Sequence, residues 1–263
     1  MKISIVTATY NSEKTLRDTL DSILGQTYQD FESIIVDGAS KDGTLEIVSK
    51  YEPRFQGRMR WVSEPDKGIY DAMNKGIQMA TGDIVGVLNS DDFYYDERVL
   101  EDIANAFTQK DVDCVYGDLV FIDEKDKNSI LRIWQGSQHE RGAFLRGWHP
   151  AHPTFYAKRS CFEKYGAFNL DYAVSADFEL MLRFIEKEQV NNAYIDRYFV
   201  KMRWGGESTG TIQNIVKGNR NILKAFRNNG LKPSSFYLIR RLAPKVWNMM
   251  KQKFQSPIAN HHD

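Results

Sequence analysis

With 263 residues, 42% of them apolar and 13% aromatic, the chain has enough material for a sizeable core and is not of disordered composition. Its 35 basic and 35 acidic residues cancel, so the overall charge gives no pull toward nucleic acid. Met1 to Ile5 lacks the apolar core of a signal peptide, no run reaches the ~18–20 apolar residues of a bilayer span, and Cys114 and Cys161 lack metal-ligand spacing. The expectation is a cytosolic protein with two structural thiols.

Lys2 to Ala8 reads as a strand, followed by a helix capped by Asn11 or Ser12 that carries Leu16, Leu20, Ile23 and Leu24 at helical spacing. Phe31 to Val36 is a second strand, and the polar turn Asp37 to Gly43 leads into a helix with Leu45, Val48 and Tyr51. A short strand at Arg60 to Ser63 precedes a helix striped by Ile69, Met73, Ile77 and Ala80, which stops at Thr81-Gly82-Asp83 before the apolar strand Ile84 to Leu88. Alternation of this kind predicts an α/β fold with a mostly parallel sheet. After a helix with Val99, Leu100, Ile103 and Phe107, the pattern turns strand-rich around Cys114 to Ile122, Ile130 to Trp134 and Thr154 to Ala157. A helix returns with Phe178, Met181, Leu182 and Ile185.

Open parallel sheets bind ligands just beyond the carboxyl ends of their strands. Three polar clusters fall there: Thr7 to Asn11, Asp37 to Gly43, and Asn89 to Asp92. Asp91 and Asp92 put two carboxylates side by side, which a divalent Mg²⁺ or Mn²⁺ shared with a diphosphate would relieve; a solvated turn is the blander alternative. Thr7, Thr9 and Asn11 offer hydroxyls and an amide, and Asp37 a carboxylate able to accept from a uracil or guanine N–H, or else an ordinary turn residue. There is no glycine-rich phosphate loop of Rossmann or Walker type.

Thr7-Ala8-Thr9-Tyr10-Asn11, Val36-Asp37-Gly38-Ala39-Ser40-Lys41-Asp42-Gly43-Thr44, Gly68-Ile69-Tyr70-Asp71-Ala72-Met73-Asn74-Lys75-Gly76 and Asn89-Ser90-Asp91-Asp92 together resemble the successive signatures of family 2 glycosyltransferases with the GT-A fold. The resemblance covers about residues 1 to 210. It implies a Rossmann-like central sheet flanked by helices and inverting transfer of a single sugar from a nucleoside diphosphate sugar, with a UDP-sugar favoured and a GDP-sugar of fucosyl type as the alternative. It implies donor contacts at Thr7, Thr9, Asn11 and Asp37, Asp91 near the ribose, and Asp92 on the metal. Asn89 stands where many members carry a carboxylate; an amide there can still hydrogen-bond a ribose hydroxyl. Asp177, in Val174-Ser175-Ala176-Asp177-Phe178, matches the family's base, or alternatively caps its helix.

The resemblance sets the expected organisation as a GT-A catalytic domain over 1–210, with a nucleotide-sugar-binding half at 1–110 and an acceptor-side half at 111–210. A helical, basic amphipathic extension follows at 211–263. Asp66 fits a donor contact or a helix cap. In Gly147 to Pro153, His152 fits a contact to metal, diphosphate or acceptor, or a structural loop histidine. Trp134, Trp148 and Trp204 fit sugar stacking or packing. Arg203 with Gly205 to Ser208 fits a lid over the phosphates or a plain connection.

The processive-synthase motif Gln-x-x-Arg-Trp is missing. In the tail, Phe236, Ile239, Ala243, Val246, Met250 and Phe254 form a stripe beside Arg240, Arg241, Lys245, Lys251 and Lys253. That pattern suits an anionic membrane surface at its inner face, near a lipid-linked or glycan acceptor of a surface polysaccharide, or docking on the domain or on a second subunit. Competing classes are a sugar nucleotidyltransferase, which would want a basic glycine-rich loop after the first strand, and a silent nucleotide-sugar-binding protein, against which Asp177 argues.

Overall fold

A computed structural model describes residues 1–204, 212–234 and 236–237, with the side chains of 212–216 excepted. Among these residues nine strands form one sheet in the order β3-β2-β1-β4-β8-β6-β9-β5, with β7 pairing off β6. The N-terminal part is parallel: β1 (Ile3–Thr9) lies between β2 (Phe31–Asp37) and β4 (Ile84–Val87), and β2 carries β3 (Met59–Ser63) on its far side. Every residue of β1, β2 and β4 is buried, the mark of strands covered on both faces. Alternate residues feed opposite cores: Ile3 and Ile5 meet α1 (Leu16–Leu24), α2 (Thr44–Tyr51) and α4 (Val99–Gln109). Val6 and Ala8 meet α3 (Ile69–Met79) and the helices of the second half.

The second half is mixed. β8 (Tyr156–Lys158) joins it to the first, running antiparallel to both β4 and β6 (Cys114–Ile122), while β6 runs parallel to β9 (Asn192–Arg203). β7 (Ile130–Trp134) closes a hairpin on β6, and β5 (Phe93–Tyr94) pairs antiparallel with β9. At the seam, Gly86 lies opposite Tyr156, and a Cβ there would come 2.0 Å from the Tyr156 ring. Glycine makes room for this fully buried ring, whose hydroxyl shares a 2.7 Å hydrogen bond with Tyr94.

Several expectations change in detail. Helix α1 begins after Thr15, not at Asn11 or Ser12. The Ser12 carbonyl accepts the first backbone bonds, while Asn11 turns left-handed at φ 49° and its side chain serves the neighbouring strand end. The strand expected at Thr154 begins at Tyr156, after a 3₁₀ turn over His152–Thr154. Strands β5 and β9 and helix α5 (Arg159–Tyr165) carried no sequence signal strong enough to place them. Helix α6 (Ala176–Met181) continues as a π-helix over Leu182–Lys187.

Helix α7 (Ile212–Asn228) opens the expected C-terminal extension, yet it packs into the core: Ile222, Ala225 and Phe226 are buried and Phe226 meets Phe178 ring to ring at 5.6 Å. Most of the basic amphipathic tail lies outside the described residues. No helix among the described residues is long and apolar enough to cross a membrane. Cys114 and Cys161 are buried free thiols, and burial pushes both up, Cys161 to about 11.

Candidate active site

The register of the parallel strands fixes the first part of the site. Thr9 pairs with Asp37 and Asp37 with Ser63, so β1, β2 and β3 end on one line. Leu88 extends β4 alongside by donating its N–H to the Val6 carbonyl. Asp37 is the knot of this edge. Fully buried, it accepts from the Thr9 hydroxyl at 3.0 Å, the Ser40 N–H at 2.9 Å, the Ser40 hydroxyl at 2.5 Å and the Ser63 hydroxyl at 2.7 Å. A carboxylate has about four lone-pair sites. To accept from a base N–H, as its motif suggests, Asp37 must therefore release one of these hydroxyls. Asn11 also braces the edge, its Oδ1 taking the Lys41 N–H and its own N–H going to Ser40. Thr7 is fully buried with an unpartnered Oγ1.

Sequence reasoning passed over Tyr10. It stands 64% exposed between the β1 and β2 ends, beside Gly38. Asp66 comes from the other side: its Oδ2 is 2.5 Å from where a Gly38 Cβ would be, and its Oδ1 accepts the Gly68 N–H at 2.8 Å. Gly38 thus lets a carboxylate and an aromatic ring close around the β2 end, and any side chain there would part them.

The Asn89–Asp92 turn follows β4, pinned by the Thr19 hydroxyl on the Asp92 carbonyl at 2.7 Å and by Ser12 and Ser90 at 2.8 Å. The two carboxylates differ in exposure: Asp91 is half-buried, Asp92 fully buried. Asp92 Oδ2 accepts from the Asn89 amide at 2.9 Å, while Asp92 Oδ1 and Asn89 Oδ1 are buried without a partner. Burial, then the charge of Asp91, pushes the Asp92 carboxyl well up, against the pull of Asn89 and Arg203. The orphaned hard oxygens of Asp92 and Asn89, beside a second carboxylate, fit a divalent cation by donor chemistry. Among the described residues, no group of three or more His, Cys, Asp or Glu is placed to hold a metal. A cation here would be shared between this turn and a ligand's phosphates, the usual Mg²⁺ arrangement.

Arg203 ends β9 and is buried. It donates to the Asp91 carbonyl and to the Asp18 carboxylate and lies 5.2 Å over the Phe93 ring, so it fastens the turn from beneath. As placed, its hydrogen bonds serve the protein, unlike the phosphate contact expected from its neighbourhood to Gly205–Ser208, which lie outside the described residues.

The second part of the site comes from the other half. Asp177 is half-buried in the first turn of α6, after Ser175, which takes the left-handed conformation at φ 79°. Its Oδ1 accepts from the Tyr70 hydroxyl at 3.0 Å. His152 lies close enough to feel the Asp177 charge, which raises its pKa, while burial lowers it and prevails. Its ring meets Phe168 at 5.9 Å, and Phe168 meets Tyr70 at 5.4 Å. Trp148 stands one aromatic layer behind: it packs on Tyr116, His139 and Phe144, and Phe144 meets Phe178. Trp134 packs on His149 at 5.2 Å, and Trp204, 45% exposed, packs on Phe121. These contacts give Trp148 a packing role, one of the two readings its sequence offers.

Residues 4–165 match the family model described as glycosyl transferase family 2. A PGL/p-HBAD biosynthesis glycosyltransferase of Mycobacterium bovis is 34% identical over 215 residues, covering 81% of this chain and 79% of its own. Among solved structures, S. aureus TarS 1-349 in complex with UDP superposes with a TM-score of 0.70 at 19% identity over 96% of this chain and 75% of its own. The mannosyltransferase PcManGT of Pyrobaculum calidifontis, in complex with GDP-Man and Mn²⁺, gives 0.64 at 18% identity, over 97% and 75% of the two chains. The chain is a family 2 glycosyltransferase with a GT-A fold.

Proposed function

We propose that this glycosyltransferase moves one hexosyl unit from a nucleoside diphosphate sugar, a UDP-sugar by preference, to a hydroxyl of a glycan or lipid-linked acceptor in surface-polysaccharide synthesis, with inversion at the anomeric carbon. The observation that carries this reading is the link α3 makes between two sets of groups: the turn before it abuts the strand-end edge at Gly38, and its Tyr70 binds the half-buried carboxylate of Asp177 from the other half.

Tyr10 offers a face on which a base can stack, with Thr7, Thr9, Asn11, Asp37 and Asp66 as the polar rim. Asn89 and Asp91 lie where ribose hydroxyls and phosphates would follow. A divalent cation held by Asp91 and Asp92 would neutralise charge building on the leaving diphosphate. Asp92 offers its unpartnered Oδ1 to that cation, and Asp91, the more exposed of the pair, offers its carboxylate to the cation and the ribose alike.

Asp177 takes the proton from the acceptor hydroxyl as that oxygen forms its bond to the anomeric carbon. The bond from that carbon to the phosphate oxygen breaks, and its electron pair leaves with the nucleoside diphosphate. Tyr70 occupies Asp177 Oδ1, which makes Oδ2 the oxygen that accepts the proton. His152, whose pKa burial lowers against the pull of the Asp177 charge, is assigned to the acceptor side. The UDP and UDP-GlcNAc complexes of TarS support the UDP preference; the GDP-Man complex of PcManGT supports the alternative of a GDP-sugar.

A thermal-shift panel of UDP-, GDP- and dTDP-sugars with and without Mn²⁺ tests the donor, because a ligand of the folded state stabilises it by mass action, about 2.7 kcal/mol at a hundred times Kd. The expected result is a rise with UDP-sugars that depends on Mn²⁺. A response to GDP-sugars alone would overturn the UDP preference, and no response to any sugar nucleotide would overturn the donor reading.

A further inference from the structure

The segment Gly68 to Gly76 contacts Asp177 through Tyr70, and its side chains make two long-range connections. Tyr70 and Asn74 stand four residues apart on α3 and so share one face of the helix. Asn74 clamps the backbone of Phe168 in both directions: its Nδ2 donates to the Phe168 carbonyl at 2.8 Å and its Oδ1 accepts the Phe168 N–H at 2.9 Å. Tyr70 donates to Asp177 Oδ1 at 3.0 Å. Burial, followed by the charge of Asp177 and the hydrogen bond to it, raises the Tyr70 pKa well above its ordinary value, so the phenol stays a donor.

The loop before α6 is held from a second direction as well. Asn221 of α7 donates to the Val174 carbonyl at 2.6 Å, and Gly218 lets α7 approach until a Cβ there would sit 3.4 Å from Ser175 Oγ. Immediately before α3, the Asp66–Gly68 turn abuts Gly38 on the donor edge. One helix therefore touches the candidate donor rim with its leading turn and the candidate base with its first full turn.

We infer that Tyr70 is the positioning residue of Asp177, and that the α3 face carrying Tyr70 and Asn74 sets the base in register with the donor. The inference rests on the reading of Asp177 as the base. With the Tyr70 hydroxyl removed, the carboxylate is free to rotate and the nucleophile loses its fixed proton acceptor, while the donor edge is untouched. A misplacement of the order of 1 Å costs about 100-fold in rate.

The test compares wild type, Tyr70→Phe, Asp177→Asn and the double variant. The probe is whichever UDP-, GDP- or dTDP-hexose the wild type converts fastest to free nucleotide with Mn²⁺, water serving as acceptor. Tyr70→Phe should lower kcat about 10- to 100-fold with donor KM within about twofold of wild type, and should cost nothing further in the Asp177→Asn background. Unchanged kcat, a rise in KM alone, or additive losses in the double variant would each overturn the positioning role. Normal turnover by Asp177→Asn would instead overturn the base itself, which separates the two failures. Should Tyr70→Phe fold poorly, Asn74→Ala replaces it. Loss of the Phe168 clamp should again lower kcat more than it raises KM, and an effect on KM alone contradicts the proposal.

Discussion

The two halves of the molecule bring their candidate functional groups into place by different means. In residues 1–92 the groups follow directly on strands whose parallel register aligns them, so position in the chain and position in the site are nearly the same thing. In the second half, Asp177 is set by side chains from afar: Tyr70 is 107 residues away, Asn74 is 94 residues from Phe168, and Asn221 reaches back 47 to Val174. A backbone ladder makes a site that tolerates local change. A site held by a few side chains depends on each of them.

The largest effect that sharpens this contrast lies at the seam between the halves. Gly86→Ala forces a Cβ into the buried Tyr156 ring, where β4 and β8 hold the halves together. Overpacking of this kind is expected to cost about 3 kcal/mol or more, and chemical denaturation should show it as a fall in midpoint. A stability equal to wild type would mean that the halves are joined less tightly than the packing implies.

A smaller effect tests the first half alone. Glu32 is buried on β2; burial would raise its carboxyl, but hydrogen bonds from Ser4, Thr81 and Lys2 outweigh that and hold it at about 2, and Arg60 adds an ion pair. A depressed carboxylate contributes stability that is present above its unfolded pKa of 4.5 and lost as pH falls toward 2. Glu32→Gln should therefore cost about 2 kcal/mol at pH 7, with the gap to wild type closing between pH 4.5 and 2 in urea unfolding curves. A gap that does not vary with pH would assign the loss to packing.

The same contrast explains what the sequence made legible. The strands of the first half are apolar throughout because both faces are covered, and each is followed at once by polar residues, so elements and candidate site residues read off together. Asp37 was visible as a strand-end carboxylate, but its capture by Thr9, Ser40 and Ser63 was not, since those partners come from three strand ends. β9 was missed because its burial is uneven along its length, with Asp196, Arg197 and Lys201 interrupting the apolar pattern. Arg203 reads in the sequence as part of a lid or a plain connection because its partners, Asp18 and the Asp91 carbonyl, lie 185 and 112 residues earlier. Tyr70 stands inside its motif with no role legible from the motif alone; a tyrosine and an asparagine four apart on one helix face is the signal that marks it.

The central claim is a division of labour, in which the first half holds the donor and Asp177 of the second performs the proton transfer. Asp91→Asn and Asp177→Asn, each assayed for Mn²⁺-dependent stabilisation by the preferred donor and for turnover of that donor, test it most directly. Asp91→Asn should lose both the stabilisation and the turnover, whereas Asp177→Asn should keep the stabilisation of wild type and lose turnover by about 100-fold or more. Turnover near wild type in Asp177→Asn, or full Mn²⁺-dependent stabilisation in Asp91→Asn, would contradict the account.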